Sequence, residues 1–271
     1  LLFIGGISRA LQRSRHILKK NKFYGQNRAA LLPENLSPFD IQKAEEYLFF
    51  LKPKNKFIGW LREKIQIFAL FLFKKFYKVE CVDTEYVPTL GAFFLCSNHC
   101  SHLDIMSLMA ALQRAPSDFV FLAAKDYFFD NKIRNFFVTL LCNIIPFDRS
   151  GLKNALFKSI YYVKRCQENG KVIVFFPEGT RSQRGVVQPF KAGVGFLSAM
   201  LKLVVVPACI KGTYDCFPKG RIMPKIGAIT VRFGHVLDCP EEGNHEDYRI
   251  FSTKLEQIVR GLSYGIREEA Y

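Results

Sequence analysis

Between residues 79 and 262, short apolar runs alternate with amphipathic helical patterns, and this alternation restricts the fold more than any other feature. The runs fall at 79–82, 92–96, 119–123, 143–146, 172–176, 204–210 and 228–233. Helical spacing of apolar residues occupies 105–113, 131–141, 152–167, 193–202 and about 245–262. Several runs are apolar at nearly every position, as in Val172-Ile173-Val174-Phe175-Phe176. A sheet with one wet face would show alternation, so these strands are expected to be covered by helices on both faces. Strand and helix taken in turn indicate an α/β domain, here bounded at 77–271.

Two segments precede it. Residues 1–36 form a basic arm carrying Arg9, Arg13, Arg15, Lys19, Lys20, Lys22 and Arg28 and no acid before residue 30. A solvated charged arm and a helix lying on a membrane surface both fit that pattern. Residues 37–76 read as two helices. The first starts at Ser37-Pro38-Phe39-Asp40, runs over 41–51 and stops at Pro53. The second runs from about Lys56 to Phe76 and ends in Lys74, Lys75 and Lys78. An ordinary core helix and a helical hairpin in the membrane interface are both consistent with it. The aromatic residues and terminal lysines lean toward the interface. The longest apolar run, 65–73, is too short to cross a bilayer.

Charge narrows the partners. Thirty-nine basic and 24 acidic residues give a net charge of +15, which suits an anionic membrane, an acidic carrier or coenzyme, or nucleic acid. No nucleic-acid reader motif is present. Eight cysteines include no CxxC pair, so zinc-ribbon and thioredoxin-type sites are excluded and a reducing compartment is expected.

The chemistry concentrates at Ser97-Asn98-His99-Cys100-Ser101-His102-Leu103-Asp104, at a strand-to-helix junction. An imidazole titrates near neutrality and serves as a general base. A carboxylate on its other nitrogen would fix the tautomer and stabilise the imidazolium. Ser101-x-x-Asp104 also has the form of a helix capping box, which accounts for Asp104 without catalysis. A metal site at His99, His102 and Asp104 does not have the same-face spacing that helical ligands require.

Downstream lie Ile144-Ile145-Pro146-Phe147-Asp148-Arg149, Phe176-Pro177-Glu178-Gly179-Thr180-Arg181-Ser182 with Phe190-Lys191-Ala192-Gly193, and Val205-Val206-Pro207-Ala208-Cys209-Ile210. Together with Asn98-His99-x-Ser101-x-x-Asp104, this ordered set resembles the glycerolipid acyltransferases, the family of 1-acylglycerol-3-phosphate acyltransferase, over roughly residues 77–235. The resemblance implies a mixed, largely parallel sheet flanked by helices, with an N-terminal helical membrane-docking element. It implies His99 as the base and Asp104 as its orienter. Arg149, Arg181 and the Glu178-Gly179-Thr180 turn would hold a glycerol phosphate, and Lys125, after the third strand, would assist. The expected reaction moves a fatty acyl group from acyl-CoA or acyl-acyl-carrier protein to lysophosphatidic acid at the cytoplasmic face of a membrane. Neither a metal, a cofactor nor a covalent acyl-enzyme is implied. A different lysolipid acceptor and a non-catalytic lipid-binding protein are the alternatives.

Overall fold

A computed structural model of the chain describes residues 55–124, 139–147 and 153–265, with positions 41, 45–51, 53 and 136. The basic arm, Lys125 and Arg149 lie outside the described residues.

The described elements are α1 (Lys56–Phe76), β1 (Lys78–Val82), β2 (Phe93–Ser97), α2 (Leu103–Ala111), β3 (Phe119–Ala124), β4 (Ile144–Phe147), α3 (Lys153–Glu168), β5 (Val172–Phe175), α4 (Gly193–Leu201), β6 (Val205–Lys211), the short α5 (Thr213–Cys216), β7 (Ala228–Phe233) and α6 (His245–Tyr264). All seven expected strands are present, within one residue or so at each end. Positions 41 and 45–47 are helical, as are 136 and 139–141, inside segments expected to be helical.

The strands form a single sheet in the order β1-β7-β6-β2-β5-β3-β4. β6, β2, β5, β3 and β4 are mutually parallel. β7 is antiparallel to β6 and parallel to β1, so β1 and β7 run against the other five. The mixed, largely parallel sheet is therefore as expected. Pro146 is accommodated because β4 is an edge strand, where a missing ladder donor is tolerated.

Side chains leave alternate faces of each strand, and both faces of this sheet are covered. On one side Phe93, Leu95, Phe119, Phe121, Val172 and Val174 pack with Leu70 and Phe73 of α1 and Leu108 and Met109 of α2. On the other, Phe94, Cys96, Val120, Ile173 and Phe175 pack with Val163 of α3, Val194 and Leu197 of α4, and Leu255 and Val259 of α6. This two-sided burial is why the strands are apolar throughout.

α1 starts at Asn55, whose side chain accepts from the Phe57 and Ile58 amides. It buries few residues, chiefly Gln66, Leu70 and Phe73, while Phe57, Trp60, Leu61, Ile67, Phe68 and Phe71 face outward. Besides the packing of Leu70 and Phe73, polar contacts hold it to the domain. The Arg62 guanidinium donates to the carbonyls of Thr139 and Cys142 and to Oδ1 of Asn143, and Asn143 in turn donates to the carbonyls of Ser117 and Phe119. Burial lowers the Arg62 pKa to about 10, still far above neutrality, so the cation persists and satisfies carbonyls at the end of a helical segment. Among the described residues no helix is long and apolar enough to cross a membrane.

Candidate active site

In parallel sheets ligands collect beyond the carboxyl ends of the strands, and the sequence blocks lie there. β2 ends at Ser97, two residues before His99. β5 ends at Phe175, three before Glu178.

Asn98 secures the first of these exits. Its Oδ1 accepts from the Ile210 amide at 2.8 Å and its Nδ2 donates to the Ile210 carbonyl at 2.9 Å. An asparagine amide copies a peptide's donor–acceptor pair, so it extends the β2–β6 ladder by one step and fixes the direction in which the chain leaves. His99 follows, with its ring stacked on Phe176 at 4.1 Å between centroids. Nδ1 of His99 lies 2.8 Å from Oδ2 of Asp104.

Asp104 is wholly buried. The same Oδ2 accepts from the Cys100 and Ser101 amides at 2.7 and 2.9 Å. The expected capping arrangement is thus half realised: the acid reaches back to the Ser101 amide, but the Ser101 hydroxyl takes the Leu103 amide at 3.1 Å instead. That hydroxyl also donates to the Phe217 carbonyl at 2.7 Å. The helix cap and the His99 contact share one carboxylate oxygen, so the structural and chemical readings of Asp104 describe one arrangement. His102 is exposed, with its ring 6.3 Å from that of Phe217.

The second block forms a turn docked on the first. The Ser182 amide donates to the His99 carbonyl at 2.7 Å. The Glu178 carboxyl points inward, where Oε1 accepts from the His99 amide at 3.1 Å. Burial pushes this carboxyl up to about 8, against the pull of the His99 N–H and with a further push from Asp104. Glu178 is therefore largely protonated at neutral pH. The Cys100 thiol, buried near both acids, is pushed up to about 12 and is no nucleophile at neutral pH.

Gly179 has φ +72°, a left-handed conformation that favours glycine. A Cβ there would come within 3.0 Å of Nζ of Lys191, so a lysine ammonium lies directly over the turn. Backbone contact holds it in place, since the Lys191 amide donates to the Pro177 carbonyl at 3.0 Å. Thr180 is exposed and Arg181 half-buried. The structure thus brings together His99, Asp104, Glu178, Gly179, Thr180 and Arg181. Sequence reasoning gave Lys191 no role, although Phe190-Lys191-Ala192-Gly193 was the available signal.

The seven-stranded mixed sheet thus carries at its carboxyl edge an imidazole–carboxylate pair beside a glycine turn that lies under a lysine ammonium. The Acyltransferase family model matches residues 78–211. The chain is 29% identical to 1-acyl-sn-glycerol-3-phosphate acyltransferase BAT2, chloroplastic, of Brassica napus, over 64% of this chain and 48% of that protein. It is 31% identical to the 1-acyl-sn-glycerol-3-phosphate acyltransferase of Cocos nucifera, over 52% of this chain and 44% of that one. The chain spans about half the length of these curated relatives. The crystal structure of PlsC, the 1-acyl-sn-glycerophosphate acyltransferase of Thermotoga maritima, has the same fold, with a TM-score of 0.56 at 23% identity, covering 85% of this chain and 91% of that one.

Proposed function

We propose that the chain transfers a fatty acyl group from an acyl thioester, acyl-CoA or acyl-acyl-carrier protein, to the free hydroxyl of 1-acylglycerol 3-phosphate. The products are phosphatidic acid and the free thiol. The 2.8 Å contact between His99 Nδ1 and Asp104 Oδ2 carries this reading. Asp104 holds the proton on Nδ1, which makes Nε2 the acceptor. Nε2 takes the hydroxyl proton as the substrate oxygen attacks the thioester carbon. The C–S bond then breaks, and the departing sulfur receives the proton from the imidazolium. The attacking oxygen belongs to the substrate, so no covalent enzyme intermediate is needed.

Arg181 and the Gly179-Thr180 turn hold the phosphate, joined by Arg149 and Lys125, with Lys191 as a further cation. Arginine grips phosphate bidentately, whereas lysine acts as a point charge. Glu178 contributes from inside the turn by fixing the His99 backbone. The resulting organisation is a basic arm at 1–36, a membrane-interface hairpin at 37–76 and the αβ acyltransferase domain at 77–271, working at the cytoplasmic face of a membrane. The outward aromatic face of α1 supports the hairpin reading.

The test is an acyl-transfer assay across lysolipid acceptors with both donor types, run on the natural chain and on His99→Ala. Loss of a general base is expected to lower turnover on the order of 10²–10⁴-fold. Full activity in His99→Ala would overturn the mechanism. Activity only on acceptors lacking phosphate would remove the roles of Arg149 and Arg181.

A further inference from the structure

The segment joining α5 to β7, Pro218-Lys219-Gly220-Arg221-Ile222-Met223-Pro224-Lys225-Ile226-Gly227, stands outside every block described above. Its tip is exposed to an unusual degree for apolar side chains: Ile222 at 89%, Met223 at 72% and Ile226 at 74%. Lys219 and Arg221 precede them and Lys225 stands between Met223 and Ile226, all three exposed, and the segment contains no acid.

The loop is closed at its base. The Lys225 amide donates to the Cys216 carbonyl at 2.8 Å, and the Arg221 amide to the Pro218 carbonyl at 3.2 Å. Gly227 lies so close to Cys216 that a Cβ there would come within 2.7 Å of its sulfur. Loops with joined ends and a projecting tip are compact and often functional.

Its position follows from the topology. β7 is antiparallel to β6, so the loop entering β7 lies at the carboxyl end of β6 and β2, the end that carries His99. The Ser101 hydroxyl bonds directly to Phe217 at the loop's root. β7 also pairs with β1 from Lys78↔Ala228 onward, which brings the loop to the sheet edge where α1 ends in Lys74, Lys75 and the exposed Phe76.

We infer that this loop is a second membrane contact: Ile222, Met223 and Ile226 enter the interface of an anionic bilayer, Lys219, Arg221 and Lys225 meet its head-groups, and the contact sets the His99 end of the sheet against the lipid surface. An acidic protein partner would use the three cations but leave the protruding apolar tips uncovered. A bilayer interface takes both. The inference does not depend on acyl transfer, and its test requires no turnover.

The chain contains one tryptophan, Trp60 on α1. In the full chain carrying Trp60→Phe and Ile222→Trp, emission is expected to shift to the blue on addition of vesicles containing phosphatidylglycerol, and acyl-chain-brominated phospholipids are expected to quench it. A companion with Met223→Glu and Ile226→Glu should lose that quenching and partition to the vesicles about tenfold less well. Bound protein whose emission neither shifts nor is quenched would overturn the inference. So would emission that responds to acyl carrier protein but not to vesicles.

Discussion

Replacing Glu178 by glutamine should make the protein more resistant to alkali without moving its backbone. An amide keeps an oxygen for the His99 N–H but cannot ionise. In the natural chain the unfolded carboxyl titrates near its ordinary 4.5, whereas the folded one holds its proton to about 8. Between those values the folded state binds more protons than the unfolded state, so stability falls as pH rises. The fall begins above about 4.5 and is complete above about 8. At about 1.36 kcal/mol per pH unit, the full penalty is about 5 kcal/mol. Since native domains hold only about 5–15 kcal/mol in all, that is a large share. Urea unfolding of both proteins from pH 4 to pH 9 measures it. The advantage of Glu178→Gln over the natural chain should be smallest near pH 4, widen through neutrality and level off near pH 9. Two stability curves that stay parallel from pH 5 to pH 9 would refute the argument, because the carboxyl would then be ionised in the folded state at neutrality.

Two further substitutions probe the same junction. Asn98→Ala leaves the buried amide and carbonyl of Ile210 without partners; a loss of about 3 kcal/mol in urea unfolding is expected, and a change under 1 kcal/mol would mean that water replaces the side chain. Asp104→Asn should lower kcat on the order of 10³–10⁴-fold while leaving KM for the lysolipid nearly unchanged, so steady-state kinetics showing the reverse split would assign Asp104 to substrate binding.

Much of the sheet was legible because burial on two faces writes itself as unbroken apolar runs such as 172–176. The direction of β7 was not legible, because an apolar run carries no sign of which way its neighbours run. The pairing of His99 with Asp104 was readable from spacing and block order. The sharing of Asp104 Oδ2 between the helix cap and the imidazole was not, because that depends on where the Cys100 and Ser101 amides point. Glu178 illustrates the same limit. In sequence it is one acid in a charged turn, and its burial appears only when the turn folds onto the His99 backbone. Lys191, thirteen residues from Glu178, reaches the turn through a loop whose path no periodicity reports.

The buried acids account for a difficulty that the charge alone would create. The phosphate-bearing substrate proposed above would bring negative charge to a site that already contains two carboxyls, and in a low-dielectric setting like charges repel strongly. Protonation leaves Glu178 uncharged beside the pair, and in the proposed mechanism the imidazolium formed during proton transfer faces the Asp104 carboxyl. Cations lie outside this centre, at Lys191 over the turn and at Lys219, Arg221 and Lys225 on the loop rooted at Ser101. In the proposed reaction these cations would face the phosphate and the membrane from which it comes.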